Sequence, residues 1–330
     1  MTCLVVLSSL CGCKNHDSRK KHERAHHANA QVRLDTPAVK SAAPIQSRPQ
    51  MRCPSISAGV SVGRVADRAL DEASGLIVSR KNAGILWSHN DSGGGPKLFA
   101  MTEKGQSLGT YHLSSAKLED WEDIAIAPDG TPNGWHLYVA DIGTNAKVRH
   151  RITIYRVNEP DIESYQVSGK HKLKDVQRFD FEYPGHVAYD AETLLVDPRT
   201  LELFIVTKTR SEPPKVFRAR PPLDPTHTTI LDEVAELSIF DRGTKRSTLV
   251  TAGDISADGS LILIRTYTTA YLWRRDQTDS VAAALRREPC PALLAKEPQG
   301  ETIAFSADGR AYFTLSEGHY PALYRFALDP

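Results

Sequence analysis

At 330 residues, with 40% hydrophobic and 25% charged side chains, the chain has the composition of a globular protein and is long enough to bury a core without disulfides. A formal net charge of +1 excludes nucleic acid as the default partner. No stretch reaches the roughly 20 apolar residues that a helix needs to cross a bilayer.

Residues 1–13 carry no charged side chain and hold a short apolar run suited to the hydrophobic part of an export signal. Leu10-Cys11-Gly12-Cys13 resembles a bacterial lipobox, which makes Cys13 the expected lipidated residue and mature N-terminus; no Lys or Arg precedes the run. A buried apolar strand is the alternative. Residues 14–54 read as a tether, rich in Lys, His, Ala, Ser, Gln and Pro and without helical or strand periodicity. Residues 14–52 hold nine Lys or Arg and three acids, so a basic tail precedes a body of net charge −5. His16, His22, His26 and His27 fit a solvated linker better than a metal tract.

From residue 55 short apolar runs alternate with Gly, Asp, Pro and Ser, the pattern of many short strands. Asp-Gly turns recur at Asp129, Asp258 and Asp308. One frame, a polar residue followed by an apolar strand and a turn, begins at Ser74, Glu122, Glu192, Thr251 and Glu301, at spacings of 48, 70, 59 and 50. After the turns come second strands such as Trp135–Ala140 and Ala311–Leu315, then third strands such as Arg151–Arg156 and Ala322–Phe326. This repeat predicts an all-β propeller of five or six four-stranded blades over residues 55–330. A sixth blade has room between Glu122 and Glu192. Residues Val60 to Ala66 are expected to return as the outer strand of the last blade and close the ring. The one helix expected runs from Val281 to Glu288.

In a propeller blade the start of the first strand and the end of the second share a face. Glu122-Asp123, Glu192 with Asp190, and Glu301 begin first strands; Asp91, Asp141, Lys208, Arg265 and Glu317 end second strands. One channel mouth should therefore gather these charges. Glu122, Glu192 and Glu301 are the catalytic candidates, as paired carboxylates for acid and base roles. Glu122, Asp123, Asp141, Asp190 and Glu192 are candidate ligands for Ca²⁺, a hard ion that takes oxygen donors. Lys208, Arg265, Asp91 and Glu317 are candidate substrate-binding residues, the two basic ones for an anionic group. Ser61, within Gly59-Val-Ser-Val-Gly63, lacks the strand-turn-helix setting of a nucleophile elbow. His89 beside Asp91 reads as a loop hydrogen-bonding residue, and Trp121 as packing between blades. Nothing has zinc-site spacing. An oxidising compartment would let Cys53, before the closing strand, bridge to Cys290, before the last blade.

Asp120-Trp-Glu-Asp-Ile-Ala125, Ser88-His-Asn-Asp-Ser-Gly93, Asp141-Ile-Gly-Thr-Asn145, Tyr189-Asp-Ala-Glu192 and Gly300-Glu301 together resemble a family of bacterial secreted propellers of the TolB-like superfamily. The resemblance covers about residues 70–320. It implies export and a propeller fold, usually of six blades. Thr144 and Asn145 stand where the resemblance leads one to expect a second acid at 144. More distant propellers, of the gluconolactonase and phytase-like types, use a channel-mouth Ca²⁺ in hydrolysis. The expectation is a monomer, lipid-anchored in the cell envelope and facing periplasm or exterior. It would bind a divalent cation and an anionic small molecule, as a Ca²⁺-dependent hydrolase of phosphate esters or lactones. The rival is a non-catalytic scaffold for protein or cell-wall glycan.

Overall fold

The computed structural model describes residues 52–144, 149–162, 169–239 and 248–329. Cys13, the tether up to residue 51 and Asn145 lie outside the described residues.

Two strands come first, β1 (Ser55–Ile56) and β2 (Val60–Arg64). Blade one contains β3 (Ala73–Val78), β4 (Ile85–Asn90), β5 (Lys97–Thr102) and β6 (Ser107–Leu113). Blade two begins with β7 (Trp121–Pro128), β8 (Trp135–Asp141) and β9 (Arg151–Asn158). There follow β10 (Lys170–Leu173) and β11 (Gln177–Glu182). Blade three has β12 (Ala191–Val196), β13 (Leu203–Thr207) and β14 (Lys215–Ala219), then β15 (Thr229–Ile230) and β16 (Asp232–Glu236). Blade four has β17 (Val250–Ile255), β18 (Leu261–Thr266), β19 (Ala270–Arg274), α1 (Val281–Leu285) and β20 (Cys290–Ala292). Blade five has β21 (Gly300–Phe305), β22 (Ala311–Ser316) and β23 (Ala322–Asp329).

Five antiparallel sheets result, each built outward from its first strand. The interval from Glu122 to Glu192 holds no sixth blade. Its extra strands are β11, the fourth strand of blade two, and β10, which pairs parallel to β6 on the rim of blade one. In the same way β15 crosses to pair with β11. Both additions cover edges that would otherwise present unpaired backbone. Blade five takes its fourth strand from the other end of the chain, where β2 and β1 pair with β23.

The two inner strands of blades one, three, four and five are buried at every residue. Each is covered on both faces by neighbouring blades, so its sequence runs almost continuously apolar instead of alternating. Five apolar clusters fill the five junctions, such as Trp87 and Tyr111 against Trp121 and Tyr155 between blades one and two. The helix stops at Leu285, three residues short of expectation. Ser280 caps it by accepting from the Ala283 N–H, and Pro289 biases Glu288 away from helical geometry.

One irregularity recurs in every blade. The register between first and second strands slips at Ala73/Gly75, Trp121/Asp123, Ala191/Thr193, Val250/Ala252 and Gly300/Thr302. The extra residue is Ser74, Glu122, Glu192, Thr251 or Glu301, the first residue of the repeating frame. A bulge frees its residue from the ladder and re-aims the side chain.

Candidate functional site at the channel mouth

Three tiers of equivalent positions build one mouth. The bulge tier is Ser74, Glu122, Glu192, Thr251 and Glu301. Two residues earlier in each blade stand Glu72, Asp120, Asp190, Leu249 and Gln299. The third tier is the residue after each second strand: Asp91, Ile142, Lys208, Tyr267 and Glu317. Backbone bonds tie the last two tiers together: Asp91 N–H donates to Glu72 O, Lys208 N–H to Asp190 O and Glu317 N–H to Gln299 O, at 2.9–3.0 Å. The bulge acids are buried, whereas Glu72, Asp91, Asp190 and Glu317 are partly exposed above them.

The structure brings Glu122, Glu192 and Glu301 together. Burial, then Glu192 and Asp120, push the Glu122 carboxyl well above its ordinary range; Lys208 opposes this and Glu301 adds to it. Burial lifts Glu192 to about 8 against the pull of Lys208. Burial and then Glu301 lift Glu317 to about 9, and burial and then Glu72 lift Asp91 to about 7. Lys208 donates to Glu192 Oε1 and, at 2.9 Å, to the Tyr267 hydroxyl, which donates to Glu301 Oε1 at 2.8 Å. Burial works against the Lys208 charge, but Glu192 and Tyr267 more than offset it and hold the ammonium protonated. The Lys208 Nζ also lies 4.9 Å from the Tyr267 ring centroid; with the hydroxyl so close this is one contact, made at the phenol end. Glu192 Oε2 is buried and has no hydrogen-bond partner among the described residues.

Other sequence candidates sit elsewhere. Arg265 falls two residues before the mouth position that Tyr267 takes. Its side chain is 0% exposed, donating to Glu297 at 2.8 Å and to Thr302 O at 2.8 Å, so it does not meet a ligand at the mouth. Asp123 points down the channel and forms its floor. One oxygen accepts from the N–H groups of Leu194 and Gly253, the other from Ile124, which ties three inner strands across the axis and uses most of the carboxylate's acceptor capacity on backbone. Asp141 accepts from the N–H groups of Glu119 and Asp120 and pairs with Arg149 at 2.7 Å. It holds the loop before β7 and lines a separate cavity of about 450 Å³ with Arg151, Arg178 and His186. Asp190 stays beside Glu192 and accepts from the Thr144 hydroxyl at 3.1 Å. Gly143, in the Asp-Ile-Gly motif, has a steric reason: a Cβ there would lie 1.9 Å from Glu122 Oε1 and 2.4 Å from Asp120 Oδ2.

Ser61 lies on the rim strand β2 and donates to Gly63 O. His89 is fully buried edge-on to Trp121, and burial lowers it to about 4, so it is neutral. Cys53 and Cys290 are joined, with their Cα atoms 5.5 Å apart.

Glu72, Asp120 and Tyr267 belong to the mouth but not to the sequence candidates. A fixed offset from the frame residue finds the first two, at minus two. Tyr267 would have emerged from aligning second strands by register instead of by charge. Among the described residues, no group of three or more His, Cys, Asp or Glu side chains is arranged to hold a metal ion.

The fold and the site define a five-bladed β-propeller with an acidic mouth. No protein-family model matches the sequence, and no curated protein matches it. The TolB-like resemblance therefore stands on the motifs alone, and its usual six blades are five here. Among solved structures, the chain is similar to the PQQ-bound aldose sugar dehydrogenase of Streptomyces coelicolor, with TM-score 0.48 and 11% identity, covering 84% of this chain and 98% of that one. It is also similar to Kuenenia stuttgartiensis hydrazine synthase, with TM-score 0.39 and 10% identity over 78% and 72%. At that distance neither bears on the chemistry of the mouth.

Proposed function

We propose that this propeller captures a positively charged ligand in the mouth of its channel. The observation that carries this is a set of acids crowded against one another around a single described lysine. Glu72, Asp91, Asp120, Glu122, Asp190, Glu192, Glu301 and Glu317 form a chain of eight mutually repelling carboxyls. Lys208 is the basic side chain they feel most strongly. Like charges gathered in a confined site must take up protons or a cation. Ca²⁺ is one such cation, with the bulge carboxylates as donors that would have to close around it. The anionic co-ligand has weaker support, because Arg265 is held by Glu297 and Lys208 by Glu192.

A catalytic use draws on one further observation. Glu122 and Glu192 are neighbours in different settings: Glu192 has a lysine on it, and Glu122 has a buried acid beside it instead. Environments that separate two carboxyls are how acid and base roles are assigned. A hydrolase of phosphate esters or lactones would use Glu122 as acid and Glu192 as base; a scaffold would use the same mouth for binding alone. We propose the cell envelope as its location, a reading supported by the lipobox-like residues that end at Cys13 and by the disulfide.

The test is a thermal melt at pH 7.5 with and without calcium chloride, at matched ionic strength. Calcium should raise the melting temperature of the unaltered protein by mass action, and Glu192→Gln should remove most of that rise. If neither calcium nor an organic cation shifts the melt, the cation reading fails. Turnover of an ester or lactone that Glu122→Gln abolishes would establish the catalytic reading over the scaffold.

A further inference from the structure

Lys208 lies in the mouth as though it were a ligand. Its Nζ donates to a carboxylate and to a phenol, and the phenol in turn donates a hydrogen bond to a second carboxylate, Glu301. A primary ammonium has three donors, and these two acceptors use two of them. The acceptor capacity around it is larger still. Glu192 Oε2 is unpartnered, on a side chain 9% exposed, and the Glu122 carboxyl lies close enough to feel the lysine charge. A buried carboxylate oxygen is rarely left without a partner, and a water, a proton or the donor of a ligand can meet this one.

The shape of the charge is the second argument. Blade four contributes no carboxyl to any tier; it offers Leu249, Thr251 and Tyr267 where other blades offer acids. Blade two places no acid in the third tier either, where Ile142 turns its side chain into the core between blades two and three. Metal cages use oxygen donors all round, and the described acids do not form one. Carboxylates on several sides, with the Tyr267 phenol on the side of blade four, suit an ammonium head that donates to both kinds of oxygen. Lys208 itself is such a group. The half-buried Glu72, Asp91 and Glu317 give an acidic path from solvent down to it.

We infer that the mouth recognises a primary ammonium group on an aliphatic chain, and that Lys208 marks its position and competes for it. This rests on the cation reading and narrows it. Such a group is carried by small alkyl amines and polyamines and equally by the lysine side chains of a polypeptide. A resident competitor lowers the apparent affinity by the fraction of time it occupies the site. Removing its charge and keeping its stem should therefore open the site.

The experiment uses the full chain with Lys208→Met, and Lys208→Gln as the second variant should the first not fold. Binding of n-butylammonium is measured by calorimetry and by thermal shift at pH 7.5. Tetramethylammonium, which has no N–H to donate, and calcium serve at matched ionic strength. The expected result is binding of n-butylammonium about tenfold tighter in the variant than in the unaltered protein, as competition requires. Tetramethylammonium should give little, and Glu192→Gln in the unaltered protein should abolish the response. A lysine-rich peptide binding more tightly than n-butylammonium would place the ammonium on a polypeptide; weaker binding would place it on a small amine. If calcium shifts the melt and n-butylammonium shifts it no more than tetramethylammonium, the ammonium inference falls and the cation reading survives. If no cation shifts either protein, both fall.

Discussion

The carboxyls of the mouth set a pH dependence whose sign follows from their surroundings. Glu317, Glu192 and Asp91 have folded-state values raised to about 9, 8 and 7, with burial the largest cause in each. A carboxyl raised on folding favours the native state when both states are protonated, below an ordinary carboxylate value of about 4. That contribution is lost as pH rises from there through the folded-state value. The melting temperature should therefore fall between about pH 5 and pH 9, the window that these raised values span. Glu317→Gln should flatten the upper part of the fall: near-native stability at pH 5, greater stability than the unaltered protein at pH 9. Melts across that range check it. A stability that rises between pH 7 and pH 9 would mean that the acids are already neutralised by a bound cation. At this scale the sequence was a good guide to which residues carry charge and a poorer one to where the charge goes. Arg265 was legible as a cation, but its guanidinium turns toward Glu297 and Thr302, a contact 32 and 37 residues away along the chain. Tyr267 was passed over because it is neutral, although it follows its second strand as Lys208 follows its own.

Strands and bulges explain why the frame was readable at all. The first residue of each repeat stood out because it is polar just before an apolar run. The structure shows that residue to be the bulge in all five blades, where side chains leave the ladder. Asp123, the next residue in blade two, could be read as acidic but not as a floor. Its partners, Leu194 and Gly253, are 71 and 130 residues distant and come together only when blades two, three and four surround the axis. Asp123→Ala should leave at least two buried N–H groups without an acceptor and cost about 2–6 kcal/mol, at about 1–3 kcal/mol for each such group. Urea denaturation measures this. A loss below about 1 kcal/mol would show that water replaces the carboxylate and that the channel is wetter than its floor implies. Interval lengths misled where β10 and β15 add rim strands to the preceding blade; a strand lent to a neighbour and a strand begun for a new blade have the same local pattern.

The whole molecule depends on how the ring closes, and here the two ends of the fold meet. β2 pairs with β23 from Val60↔Arg325 to Arg64↔Ala322, and β1 extends that edge through Ser55↔Asp329. Blade five therefore has a first strand at residue 300 and a last strand at residue 60. Nothing local holds such a strand; a chain that frays at β1 and β2 leaves β23 as an open edge. The Cys53–Cys290 bridge, spanning 237 residues of sequence, fixes the segment just before β1 to β20 on the rim of blade four. The closing segment is thus held by two adjacent blades, by backbone pairing on one and by a covalent bond on the other. Cross-links that close long loops restrict the unfolded chain most, and losing one costs about 2–4 kcal/mol. Cys290→Ser should lower the urea midpoint by a corresponding amount with an unchanged slope, because the same surface is exposed when the ring opens. Reducing the unaltered protein should give the same shift, and the double variant with Cys53→Ser should add nothing further. A midpoint that does not move would show that strand pairing alone closes the ring. A shallower slope would show instead that blade five opens separately, so that Glu301 and Glu317 leave the mouth before the rest of the propeller unfolds.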